Sequence, residues 1–298
     1  MRVSSSSLTR RQALLAGTGL LSAGNKSTSR LSLEGYIWQN VASREKRPLV
    51  EMIGELFATA PYAGFRNIEL NDGFFAPALK DKVIELTRTH KLSMPSAYVG
   101  GAMHETGLAD RTIARALEIG ALCREFGCAA IVNNPDTKPQ QGRKTDAELA
   151  TQAESLNRMG RTLVEHRLQL RVHHHTAELV ENAREWRHIL HNTDPKFVTL
   201  CLDLEHAQHG GMDPNALLRE AGSRVTEVHL RNKIGETPTQ AFEDGDIDHH
   251  KIAATIRSLN VKPLIVLELA YHPDTPITRT FQENLRVSRL YAEKLFAL

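Results

Sequence analysis

The sequence predicts an α/β protein built as a single (β/α)₈ barrel over residues 31–298, and three observations point there. After Arg30, short apolar runs alternate strictly with longer amphipathic ones, the pattern of parallel strands joined by crossover helices. The alternation yields eight units, and a closed barrel of eight needs roughly 250 residues, which the 298-residue chain supplies. No GxGxxG or Walker pattern occurs, so the open nucleotide-binding sheets lose their usual support.

The elements follow in order. Leu33–Val41 reads as a strand and Pro48–Ala60 as a helix. Arg66–Leu70 is a strand, then Pro77–His90 a helix. Ser93–Val99 precedes the helix Arg111–Phe126, and Ala129–Asn133 precedes the long helix Asp146–His166. Gln169–His174 leads to a helix from Glu181 to about Asn192. Val198–Asp203 leads to the short helix Pro214–Ala221, and Val225–Leu230 to the helix His249–Leu259. Leu264–Leu269 is the last strand and Ile277–Phe296 the last helix. Glu243–Asp248 lacks the spacing of a calcium loop and reads as a loop and helix cap.

Residues 1–30 form a separate segment. Arg10-Arg11 stands in a basic, Ser-rich stretch before the apolar run Ala13–Leu21, and the combination resembles a twin-arginine export signal. Export of the folded chain to the periplasm is the expectation, with the cytoplasm the alternative, and cell fractionation locates it. The run is too short for a spanning helix, which takes about 20 apolar residues, so no stable membrane anchor is expected.

With 37 basic and 35 acidic residues the net charge is +2. Nucleic acid is therefore not the expected partner, because phosphate binding needs a clustered positive surplus. Cys123, Cys128 and Cys201 form no CxxC and read as buried small hydrophobes. Histidine, at 14, is the unusual count, and imidazole serves as metal ligand and acid/base. His90, His104, His166, His188 and His191 fall on helices or outer loops and read as surface or packing residues.

In a (β/α)₈ barrel the chemistry sits at the C-terminal strand ends. The second strand closes on Asn67-Ile68-Glu69-Leu70-Asn71, the fifth on His173-His174-His175, and the sixth on Asp203-Leu204-Glu205-His206. The seventh closes on His229-Leu230-Arg231-Asn232 and the eighth on Glu268. Four of these ends bring an imidazole or carboxylate to nearly the same depth, where they can converge above the barrel. A mixed set of this kind suits one divalent ion, Mn²⁺, Co²⁺, Zn²⁺ or Fe²⁺, and suits Mg²⁺ less.

These marks resemble the xylose isomerase-like TIM barrel superfamily of sugar phosphate isomerases and epimerases, with its inosose dehydratase-like branch. The likeness is carried by Gly64-Phe65-Arg66-Asn67-Ile68-Glu69-Leu70, by Asp203-Leu204-Glu205-His206 with Gly211-Met212-Asp213-Pro214 behind it, and by Val228-His229-Leu230-Arg231-Asn232. Gly245-Asp246-Ile247-Asp248 and Glu268 complete it. It implies metal binding by His173, Asp203, His229 and Glu268, with His206 and Arg231 facing the substrate; Glu69 is a further substrate-binding candidate. His206 is expected above the metal rather than in its ligand shell.

Epimerases of this group end the fifth strand in Glu, where this chain has His173, and members often carry Gly at the position of Glu205. Epimerisation needs an acid/base on each face of the reacting carbon, and a metal-bound imidazole has no lone pair to offer. Elimination needs one base and a Lewis acid. Glu268, His206 and His175 are the candidate catalytic groups. The expectation is a metal-dependent enzyme that takes a proton next to the carbonyl of a keto-sugar or inosose, leaning to dehydratase chemistry. An isomerase or epimerase is the first alternative and a non-catalytic sugar-binding barrel the second. The expected partner is a small carbohydrate, and homo-oligomerisation stays open.

Overall fold

The protein is described by a computed structural model covering residues 29–138 and 142–298. The arginine pair and apolar run of the expected export signal lie outside the described residues.

In chain order β1 (Leu31–Glu34) is followed by α1 (Tyr36–Glu45) and α2 (Leu49–Ala63), and β2 (Asn67–Glu69) by α3 (Lys80–Thr89). β3 (Ser96–Gly101) leads to α4 (Thr106–Cys123), and β4 (Ala130–Pro135) to α5 (Asp146–Glu165). β5 (Gln169–Val172) leads to α6 (Val180–Asn192), and β6 (Val198–Asp203) to α7 (Leu204–His209) and α8 (Pro214–Ala221). β7 (Val225–Leu230) continues through the antiparallel pair β8 (Lys233–Ile234) and β9 (Thr237–Pro238) to α9 (His249–Ser258). β10 (Leu264–Leu267) and α10 (Phe281–Phe296) close the chain.

Eight parallel strands pair in the order β2-β1-β10-β7-β6-β5-β4-β3. The two ends of that sheet meet at the bridges Asn67↔Ser93 and Asn71↔Tyr98, so the barrel is nearly closed and is the expected (β/α)₈ architecture.

One expected element is corrected. The run Leu33–Val41 is not one strand: β1 stops at Glu34 and a helix begins at Tyr36. Ile37, Trp38, Val41 and Ala42 recur at helical spacing and are the buried face of α1. Trp38 packs on Phe57 with ring centroids 4.7 Å apart. Gly35 makes the corner, since a Cβ there would lie 2.6 Å from Leu70 Cδ2. Elsewhere the helices start where side chains can cap them. Thr145 Oγ1 accepts the Glu148 N–H at 3.2 Å while Glu148 Oε2 accepts the Thr145 N–H at 2.7 Å, a reciprocal cap on α5. Asp248 Oδ1 caps α9 by accepting the Lys251 N–H, as expected for a loop and cap.

The apolar core fills the layer between strands and helices. On β1, Leu31 and Leu33 belong to it, so alternation turns Ser32 and Glu34 to the barrel interior. That interior departs from the branched apolar layers usual in such barrels. Arg171, Glu227, Glu69 and His229 occupy it as one polar stack. The three cysteines are buried and free, as expected.

Candidate metal centre and active site

His173 follows β5, Asp203 ends β6, His229 lies in β7 and Glu268 follows β10. These strands are consecutive neighbours in the sheet, with Asp203 opposite His229 and His229 opposite Val266. All four side chains are buried. One candidate ligand atom from each lies within 4.8 Å of the others. His229 Nδ1 is 2.7 Å from Glu268 Oε2, and His173 Nε2 is 3.8 Å from both Asp203 Oδ2 and Glu268 Oε2.

Two atoms of this group, His173 Nε2 and Asp203 Oδ2, are buried without a hydrogen-bond partner. Such orphans are rare and call for an explanation. A divalent cation between them would provide it, and two imidazoles with two carboxylates form a donor set that Zn²⁺, Mn²⁺, Co²⁺ or Fe²⁺ accepts. The residues fit the expected ion.

Each candidate ligand is aimed by a partner behind it. His173 Nδ1 lies 3.2 Å from Asn134 Oδ1 and 3.4 Å from the Tyr98 hydroxyl, which leaves Nε2 toward the centre. The Asp203 N–H donates to His174 Nε2 at 3.2 Å, and Asp203 Oδ1 caps α7 by accepting the His206 N–H at 2.7 Å. Only Oδ2 is left for an ion. His229 Nε2 is 3.0 Å from Glu69 Oε1 and 3.3 Å from Glu227 Oε1. Glu227 is in turn paired with Arg171 and accepts from the Ser96 hydroxyl at 3.3 Å. Partners of this kind fix the tautomer and orientation of metal-binding histidines.

Glu69 is fully buried, with Oε1 3.0 Å from His229 Nε2. Burial, with repulsion from Glu227, pushes its carboxyl up to about 7.

Arg231, which follows β7, has its charge engaged. It donates to Glu205 Oε2 at 3.1 and 2.5 Å and to Glu268 Oε1 at 3.0 Å. Its NH2 also lies 3.1 Å from His206 Nε2, and His206 Nδ1 lies 3.0 Å from Thr176 Oγ1. Arginine only donates, so His206 presents a lone pair at Nε2 and a proton at Nδ1. His206 stands outside the four-residue group. Burial works against ionised Glu268, but the His229 hydrogen bond and the Arg231 charge outweigh it and hold the carboxyl well down. Burial pushes His175 down to about 3, with the His173 and His206 rings beside it.

Five residues of the site are not singled out by the sequence: Tyr98, Asn134, Arg171, Glu227 and Glu34. Arg171 and Glu227 each stand two positions before a candidate ligand, His173 and His229, and hence on the same strand face; that spacing was the available signal. Glu34, 3% exposed, ends β1 beside Glu69 in register. Burial and the nearby Glu268 and Glu69 carboxylates raise it well above the usual carboxylate range. Of the histidines set aside, His166 and His191 are exposed, while His104 is buried at 4% exposure, a packing position.

The fold and site together define a parallel eight-stranded barrel with a buried imidazole–carboxylate cluster at its C-terminal mouth. The chain belongs to the xylose isomerase-like TIM barrel family, which matches residues 57–291. It is 30% identical over 131 residues to an inosose dehydratase of Mesomycoplasma hyopneumoniae strain J, covering 39% of this chain and 44% of that enzyme. The chain thus matches less than half the length of that relative. It is 23% identical over 239 residues to an inosose dehydratase of Bacillus velezensis, covering 71% of this chain and 79% of that one. An L-ribulose 3-epimerase structure superposes with a TM-score of 0.69 at 16% identity, over 90% of this chain and 94% of that one, and shares the fold.

Proposed function

We propose that the protein is a divalent-metal-dependent enzyme that dehydrates a small keto-sugar or inosose, taking a proton from the carbon beside the carbonyl. The observation that carries this reading is the convergence of His173, Asp203, His229 and Glu268 on one point, with His173 Nε2 and Asp203 Oδ2 buried and unpartnered. The similarity to inosose dehydratases supports the choice of dehydration.

A bound divalent ion would act as a Lewis acid on the substrate carbonyl. The protein's own groups do the rest. Arg231 and Thr176 hold His206 in the tautomer whose Nε2 lone pair accepts the Arg231 N–H, so Nε2 can take the proton only once a substrate draws Arg231 away. Glu268 is tied to His229 and Arg231 and stays ionised, which suits a ligand better than a base. Glu205 keeps Arg231 in place.

The test is NMR of a keto-sugar and inosose panel in D₂O with added Mn²⁺, Co²⁺ or Zn²⁺. Deuterium exchange beside the carbonyl together with a dehydrated product is expected on at least one member. Clean epimers without dehydration would overturn the elimination and favour an epimerase. Neither exchange nor product with any metal would overturn the enzyme reading.

A further inference from the structure

We propose that the substrate carries a second, uncharged sugar residue beyond its reacting keto-sugar, and that a cavity beside His206 holds it; the keto-sugar part rests on the function proposed above. The cavity measures about 520 Å³, within the range of about 300–1,000 Å³ usual for small-molecule sites. Arg143 and Lys144, between β4 and α5, form one wall, and Thr176, Val180 and Glu181, after β5, form the other. Both connections leave the C-terminal ends of their strands, the face on which the candidate metal centre lies. Thr176 joins the two places. It lines the cavity, and its Oγ1 lies 3.0 Å from His206 Nδ1. The His206 ring is in turn 4.8 Å from the His175 ring and 6.4 Å from that of His173, centroid to centroid. A sugar held at the candidate metal centre therefore has the cavity on its His206 side, where a second ring in glycosidic linkage would extend.

The lining selects the class of that second group. Each Lys and Arg in it is already paired: Arg143 with Glu181, Lys144 with Glu185, and Arg184 with Asp146. A phosphate or carboxylate entering here would have to displace a carboxylate from its cation. A wholly apolar group would take water from those charges and return no hydrogen bond. Sugar hydroxyls suit such a wall, since each can accept from a guanidinium or ammonium N–H and donate to the carboxylate paired with it. Val180, 44% exposed, and Ala177 offer apolar surface to the C–H face of a ring.

The chain keeps this wall against its own backbone preferences. Glu181, Asn182 and Ala183 stand in the left-handed region, with φ of 55°, 59° and 56°, a conformation that residues other than glycine seldom adopt in succession. Strain of this kind gathers where ligands are clamped. Here it accompanies the pairing of Glu181 with Arg143, while Val180 lines the cavity.

The experiment is titration calorimetry of the Zn²⁺-loaded protein with methyl glucoside, cellobiose, maltose, trehalose and glucose 6-phosphate. At least one disaccharide is expected to bind about tenfold more tightly than methyl glucoside, the yield of one or two added hydrogen bonds. Val180→Trp, which fills the cavity from an exposed position, should bring that preference below threefold. Arg143→Ala, which removes a side chain that is 70% exposed, should do the same and serves if the Trp variant does not fold. Equal binding of all the disaccharides and methyl glucoside by the parent would overturn the subsite, as would a preference that Val180→Trp keeps. A gain for glucose 6-phosphate as large as that for the disaccharides would overturn it too, in favour of an anion site. The D₂O panel, run with the keto derivatives of methyl glucoside and of the preferred disaccharide, separates the subsite from the reaction. A preference lost in the variants, with neither exchange nor product from the parent, would uphold the subsite and overturn the dehydration. Dehydration of both derivatives with the same KM would uphold the reaction and overturn the subsite.

Discussion

Asp203→Ala and His229→Ala should each purify with little divalent metal and turn over about 10³-fold more slowly, since Lewis-acid help is worth several kcal/mol and each 1.36 kcal/mol is tenfold in rate. Asp203 offers Oδ2 to the centre and uses Oδ1 to cap α7. Asp203→Asn separates the two jobs. Its amide oxygen can still accept the His206 N–H, so the cap, worth about 0.5–2 kcal/mol, is kept while the ligand charge is lost. Elemental analysis, thermal melting and D₂O NMR together read the result. Full metal occupancy in both Ala variants would sink the assignment of the centre.

Glu227→Leu should destabilise the fold by about 3–5 kcal/mol, because it leaves Arg171 charged and unpaired inside the barrel. At about 2–4 °C per kcal/mol this is a drop of roughly 6–20 °C in melting temperature. The double variant Arg171→Met/Glu227→Leu should recover most of it, since removing both charges ends the mismatch. Burial alone would raise the Glu227 carboxyl, but Arg171 and His229 bring it down to about 2. A depressed carboxylate contributes stability that is present above its unfolded pKa, about 4.3, and lost as pH falls toward 2. The double variant should therefore show a flatter stability curve between pH 4.3 and 2. A melting temperature for Glu227→Leu within 2 °C of the parent, roughly half a kcal/mol to one kcal/mol, would show that the pair is not needed.

The strand–helix alternation was legible because each barrel unit repeats the same contrast of short apolar and longer amphipathic runs. β6, β7 and α8 begin and end where the sequence predicts. His173, Asp203, His229 and Glu268 were legible as chemistry, because imidazoles and carboxylates rarely close apolar strands without a purpose. Glu34 was hidden by its neighbours: Ile37, Trp38 and Val41 prolong the apolar run past the corner at Gly35, so the strand end was placed seven residues late. Glu69 was legible as a site residue, but its neighbours were not. A strand-end position tells that a side chain is near the mouth, not what stands in front of it, and His229 stands in front of Glu69. The lowered basicity of His175 was beyond the sequence for the same reason, since it comes from burial among other rings.

The strand order has a mechanical consequence. The four candidate ligands sit on β5, β6, β7 and β10, one unbroken run of the sheet, while Glu34, Glu69, Tyr98 and Asn134 sit on β1 to β4. An ion held by the first group would act as a clip across the C-terminal half-barrel, cross-linking segments as far apart in sequence as residues 173 and 268. The barrel's seam, between β2 and β3, is made by isolated bridges rather than a continuous ladder. An ion held at this centre would therefore tie together strands on the side of the barrel away from that seam.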